Sequence, residues 1–202
     1  TEAELAEAIV QAQGPLKIIG GGTRPIGKPV DGQVLSVAGL SGIELYEPGA
    51  LTIVAKAGTP LAEVEAALAA ENQRLPFEPM DHRALMGTDG VPTVGGMAAA
   101  NISGSRRIQT GACRDSLIGV RFVDGMGTAV KNGGRVMKNV TGYDLVKLMS
   151  GACGTLGVLS EVSFKLLPGV EATATLLIQD LSVPDAVAAL SQGLGSPFEV
   201  SG

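Results

Sequence analysis

The sequence predicts a mixed fold of short helices and strands threaded by glycine-rich loops. Three observations predict it. Hydrophobic residues make up 45% of the 202 positions and mean hydropathy is +0.30, enough for a packed core and too apolar for a disordered chain. Apolar residues switch repeatedly between helical and strand spacing along the chain. Glycine supplies 29 residues, about twice ordinary usage, with no collagen-like period, so the surplus calls for a local explanation.

Taken in order, residues 1–13 read as an amphipathic helix with Leu5, Ile9 and Ala12 on one face, and Thr1 and Glu4 at capping-box spacing. Residues 17–19 form a short strand that runs into Gly20-Gly21-Gly22-Thr23; residues 33–37 and 51–57 are further strands, the second entered through a Pro48-Gly49 turn. Thr59 as N-cap and Pro60 at the first helical position open a helix with Leu61, Val64 and Leu68 on its buried stripe. The Pro- and Gly-rich stretch 76–92 is long for a connection within a domain, and loops of that kind are often functional. A small-residue helix spans 95–102, a hairpin joins 120–123 to 128–131 through Asp124-Gly125, and residues 143–150 are helical. Residues 158–166 alternate cleanly as a strand that ends at Pro168, and 172–178, 184–190 and 198–200 read as strand, helix and the start of a strand. The pattern changes after Gly169, which divides the chain into residues 1–168 and 169–202; the second part reads as the truncated start of another domain, because one strand and one helix cannot cover both faces of a layer.

Composition excludes several function classes. Net charge is −5, with no Lys/Arg run for nucleic acid or anionic lipid, and with no Trp, two Tyr and four Phe there is no base-stacking platform. Cys113 and Cys153 have no CxxC spacing and no nearby histidine, so neither a metal site nor a disulfide framework is expected, and both read as small packing residues. No apolar run is long enough to span a membrane and the acidic start lacks a signal-peptide pattern, which points to a cytoplasmic protein.

The glycines concentrate in loops that carry chemistry. Gly22 with Gly27-Lys28 has nucleotide P-loop spacing, but Pro29 stands where a Mg²⁺-binding hydroxyl is needed. Gly20 and Gly22 begin a dinucleotide fingerprint, but Pro25 replaces its third glycine and residues 25–32 cannot open a helix. What remains is a turn whose successive N–H groups, with the Thr23 hydroxyl, can form a nest for a diphosphate, although a glycine turn alone also fits a loop with no ligand. A second glycine site, Thr93-Val94-Gly95-Gly96, starts the small-residue helix, whose free N–H groups would favour an anion; Asn101, Ser103 and Gly104 could add polar contacts, and the plain alternative is a packing helix. A third turn, Gly154-Thr155-Leu156-Gly157-Val158, feeds a strand that could meet a purine edge.

The stretches IIGGGTRPIGKPVDGQVL, AGTPLAEVEAALAAENQRLPFEP, TVGGMAAANISGSRRIQTGACRDSLIG and GGRVMKNVTGYDLVKLMSGACGTLGVLSEVSFKLLP occur in the order of one known family. Over residues 1–168 the chain resembles the FAD-binding domains of the vanillyl-alcohol-oxidase and p-cresol-methylhydroxylase (PCMH) superfamily, and within it the smaller FAD-binding subunits of bacterial glycolate oxidases. The resemblance implies a two-lobed α+β PCMH-type FAD-binding domain, followed by the truncated start of an α+β cap domain. It implies that Gly20, Gly21, Gly22, Thr23 and Arg24 grip the pyrophosphate with Thr93, Val94, Gly95 and Gly96. Pro79 and Thr93 would lie toward the isoalloxazine, and Gly157 and Val158 toward the adenine or ribose. It further implies oxidation of a 2-hydroxy acid such as glycolate, with hydride passing to the flavin and electrons leaving through partner flavoprotein and iron–sulfur subunits, peripheral to the inner membrane if those partners hold it there.

The departures from the family matter. Residues 20–24 contain no histidine and Val91 stands where some members carry a flavin-linking cysteine, so noncovalent FAD is expected, while Ala152-Cys153 replaces the Ser-Glu of many relatives. Candidates for chemistry are few. His82, the single histidine, reads as an exposed loop residue or a general base; Lys138 or Arg114 as a charge near reduced flavin or a surface ion pair; Arg106 and Arg107 as a solvated edge; and Asp144 as a helix cap. No catalytic residue is assigned. A flavin-binding structural or electron-relay subunit stands as the alternative, and a relic of the fold that binds no FAD as a third.

Overall fold

A computed structural model describes residues 1–134 and 142–200. The first helix, α1 (Glu2–Gln11), is set by the Thr1–Glu4 capping box and buries Leu5 and Ile9. It covers a parallel pair, β1 (Leu16–Ile19) and β2 (Gln33–Ser36). Next come β3 (Ile43–Glu47), a 3-10 turn at Pro48–Ala50, β4 (Thr52–Lys56), α2 (Leu61–Ala70) and the short β5 (Gln73–Arg74). The long loop that follows contains α3 (Arg83–Met86) and leads to α4 (Val94–Ala99), α5 (Arg107–Thr110) and α6 (Cys113–Ser116). The hairpin of β6 (Leu117–Val123) and β7 (Ala129–Gly133), then α7 (Leu145–Met149), β8 (Val158–Lys165), β9 (Leu167–Pro168) and α8 (Val183–Leu194), complete the described elements.

Two lobes result, as expected of an α+β PCMH-type domain. The larger is a fully antiparallel sheet in the order β3-β4-β8-β6-β7, closed on one face by α2, α4 and α7 around Phe77, Met97, Val162 and Phe164. The Phe77 and Phe164 rings meet at 5.9 Å. The smaller lobe packs α1 and the parallel pair over one end of that sheet, through a core of Leu5, Ile9, Val37, Val123 and Val158. Arg121 on β6 pairs with Glu2 of α1, and Glu2 also accepts from Ser160 on β8 at 2.6 Å, so the helix is fastened to the sheet by charge as well as by apolar contact.

Several expectations are corrected. Strand β3 pairs with β4 and went unread from the sequence. Thr59 does not cap α2: its fully buried hydroxyl donates toward the Lys56 and Gly42 carbonyls and accepts from the Gly42 N–H at 2.9 Å, tying two loops together while Pro60 takes the cap position. Strand β8 does not keep the clean alternation its sequence suggests. It is central in the sheet, and an extra residue at Ser160, where pairing steps from Arg121–Glu161 to Phe122–Leu159, breaks the alternation and lets Leu159 and Val162 share one core. Residues 172–178 and 198–200 form no strand; they are largely exposed, and α8 buries none of its residues.

Candidate functional site

Where β1 ends at Ile19, the chain enters the glycine turn, and the backbone of Gly90 and Val91 lies directly against it. A Cβ on Gly21 would stand 1.5 Å from the Val91 carbonyl oxygen, so no other residue fits there without moving the main chain. A Cβ on Gly20 would stand 2.5 Å from Thr93 Oγ1 and 3.9 Å from Gly96 Cα, which puts the first and second glycine sites side by side. The Thr88 hydroxyl donates to the Thr23 carbonyl at 3.0 Å, so the long loop is pinned onto the turn rather than hanging free.

The two sites open into one cleft of about 730 Å³ between the lobes, in the size range of cofactor pockets. Gly20, Gly21, Gly22, Thr23 and Arg24 form one wall, and Thr93, Gly95 and Gly96 face them. Val158, Gly154 and Thr155 also line it. Apolar surface comes from Ala99 and Ala100 of the small-residue helix and from Ile18 and Leu159, the last two not singled out from the sequence.

The cleft's charge runs against that of the chain. Lys17, Arg24 and Lys28 line it, and among the described residues no carboxylate or histidine does, although the chain carries −5 overall. The N–H groups of Gly21, Gly22 and Thr23 donate to no protein acceptor among the described residues. Arg24 Nη2 is buried without a hydrogen-bond partner, while its Nε donates to His82 Nδ1 at 3.4 Å. Burial pushes the Arg24 guanidinium below its usual pKa, and the Asp81 charge opposes that shift. Free amides and an unpartnered guanidinium group in one cleft suit an anion with several oxygens.

The second glycine site works differently from the expectation. The Val94, Gly95 and Gly96 N–H groups are taken by the Thr59 carbonyl, the Ala57 carbonyl and the Thr93 hydroxyl, at 3.0, 2.8 and 3.3 Å. The start of α4 therefore offers no free amide set. Its glycines serve close approach: a Cβ on Gly95 would stand 2.5 Å from that of Ala57.

Other candidates lie away from the cleft wall. Val94 is buried beneath it. Asn101 Oδ1 accepts from the Arg114 N–H and Ser103 Oγ from the Cys113 N–H, each at 2.9 Å, and the Gly104 N–H donates to the Phe77 carbonyl. Gly157 is wedged against Phe122 and the Val123 carbonyl, where a Cβ would stand 2.8 and 2.9 Å away. Pro79 lines a separate, smaller cavity with Arg74 and Glu78. Cys113 is a buried packing residue as expected, with burial pushing its thiol pKa up, but Cys153 is exposed and lines the cleft. Arg106, expected on a solvated edge, is 5% exposed and paired with Glu78 and Glu199. Asp144 caps α7 as expected, accepting from the Lys147 N–H at 3.1 Å; Lys138 lies outside the described residues.

A sequence profile described as "FAD binding domain" matches residues 1–133. The chain belongs to this FAD-binding domain family. Glycolate oxidase subunit GlcE of Escherichia coli is 41% identical over 189 residues, covering 93% of this chain and 52% of that protein. The chain thus spans about half the length of that relative. Glycolate oxidase subunit GlcD of Bacillus subtilis is 40% identical over 87 residues, 43% of this chain and 18% of that one. D-lactate dehydrogenase of Archaeoglobus fulgidus is 30% identical over 176 residues, 86% and 38%. Among solved structures, an alkyldihydroxyacetonephosphate synthase superposes with TM-score 0.65 at 20% identity, over 85% of this chain and 30% of that one, which shows the shared fold. The cleft of this FAD-binding domain sets a cationic glycine wall beside an apolar lining that includes Ala99 and Ala100.

Proposed function

We propose that this FAD-binding domain is part of a subunit of a 2-hydroxy-acid oxidoreductase, acting on glycolate and passing electrons to partner flavoprotein and iron–sulfur subunits. The observation that carries the reading is the cleft, in which three cations and a free-amide turn share one wall in an otherwise acidic chain. Identity of 41% with a glycolate oxidase subunit over nearly the whole chain supports the substrate class.

When bound, FAD would supply the hydride acceptor; the chain's own residues hold and orient it. The Gly21, Gly22 and Thr23 amides and Arg24 would bind the diphosphate, Gly95 and Gly96 would allow the main chain to come near it, and Val158 would pack toward the adenine or ribose. Attachment would be noncovalent, since residues 20–24 hold no histidine and Val91 no thiol. Residues 1–168 would form the cofactor domain and 169–202 the start of the next.

One observation favours a second reading, a flavin-holding relay that oxidises nothing itself: no general base lines the cleft among the described residues. Anaerobic addition of glycolate to the flavin-loaded full-length subunit separates the two. Bleaching of the oxidised-flavin band in the isolated subunit supports the oxidoreductase; bleaching that requires the partner subunits supports the relay.

A further inference from the structure

Outside the cleft, two arginines converge on one carboxylate. Arg106 has a side chain only 6% exposed and pairs through Nη2 with Glu199 Oε2. Arg74 Nη2 lies 3.7 Å from the same oxygen. Each arginine also reaches Glu78 Oε1 at 3.4 Å, Arg106 through Nε and Arg74 through Nη1. Arg74 is held in place by its Nε, which donates to the Pro168 carbonyl at 3.2 Å.

The charge count leaves room for one more anion. Two guanidinium groups face the single carboxylate of Glu78, a net of +1, and a buried cation is costly unless it is fully paired. Arg106 Nε has no hydrogen-bond partner, because its approach to Glu78 lacks the geometry. The carboxylate that completes the set comes from an exposed side chain, 64% accessible, in a stretch without regular structure. On the Arg74 side, Arg74 shares with Glu65, Glu78 and Pro79 the lining of a cavity of about 250 Å³, room for an acid of a few heavy atoms.

We infer that Arg74 and Arg106 form a seat for the carboxylate of a small organic acid, which the Glu199 side chain occupies in this structure as a tethered substitute. The planar forks of two arginines match a carboxylate and not a neutral alcohol. That the acid is a 2-hydroxy acid rests on the proposed function; the carboxylate seat itself does not. A tethered carboxylate competes at an effective concentration on the order of millimolar, so the free acid binds more weakly while Glu199 is present.

The test is calorimetric titration of glycolate into the full 202-residue chain and its Glu199→Gln variant, with uncharged ethylene glycol as control. Glu199→Gln is expected to bind glycolate about tenfold more tightly than the unaltered chain, and ethylene glycol not at all. Adding Arg74→Gln to that variant should abolish binding; Arg74 carries the test because removing the buried Arg106 endangers the fold. Equal affinity with and without Glu199, or binding that survives Arg74→Gln, would overturn the inference. Flavin titration of the same samples keeps the outcomes apart: glycolate binding without FAD binding preserves the seat and sinks the flavin reading, and the converse does the reverse.

Discussion

The two lobes bury their side chains on different scales. The five-stranded sheet lies under three helices, and its central strand is buried along nearly its whole length. The parallel pair has five buried residues holding it, two of them borrowed from the ends of β6 and β8. Yet the thin lobe carries the free-amide turn, while the thick lobe offers a turn whose amides are already bonded. A rigid sheet thus sets the position of one cleft wall, and the other wall is left with donors that a ligand can satisfy. Binding free energy would then flow mainly into ordering the small lobe.

The comparison can be broken at either lobe. Phe164→Ala, which removes a fully buried ring tilted against Phe77, should lower global stability by about 3–5 kcal/mol in denaturant unfolding. Ile9→Ala, in the small core, should cost about 2 kcal/mol and should also weaken FAD binding, an effect that Phe164→Ala lacks wherever it remains folded. Arg24→Gln should leave the melting temperature nearly unchanged and weaken FAD about tenfold, with little effect on riboflavin, which lacks the diphosphate. Equal losses for both flavins would remove Arg24 from the diphosphate.

The smallest effect is that of pH. The hydrogen bond from Arg121 holds the Glu2 carboxyl below the usual carboxylate range, with help from Ser160 and against the opposing effect of burial. A depressed folded-state pKa contributes stability that is present above the unfolded value and is lost as pH falls through the folded one. Acidification below the ordinary carboxylate range should therefore loosen α1 by about 1 kcal/mol or less, the pair being partly exposed. Hydrogen exchange of the α1 amides should rise with acid beyond its intrinsic pH dependence, and Glu2→Gln should remove the excess.

Most of this was legible in the sequence where local patterns decide structure. The Thr1–Glu4 box, the Asp124-Gly125 hairpin and the Asp144 cap announce themselves within a few residues. The glycine loops stood out by composition, and the close contacts of Gly21 with Val91 and of Gly20 with Thr93 give those two glycines a packing use that only the fold reveals. Features decided by distant partners were not legible there. Thr59 looked like a cap until Gly42 arrived from another loop, the bulge at Ser160 arises from pairing with β6, and Arg106 becomes buried through Glu78 and a glutamate 93 residues away. The bonded amides of α4 likewise depend on carbonyls from residues 57 and 59.

Titration of FAD into the chain and into Gly21→Ala, followed by quenching of flavin fluorescence, bears most directly on the role of the glycine turn. The expected result is saturable binding by the unaltered chain and none by the folded variant, because the added methyl would drive the turn away from Val91 and scatter its amides. Undiminished binding by Gly21→Ala, or no binding by the unaltered chain, would contradict it.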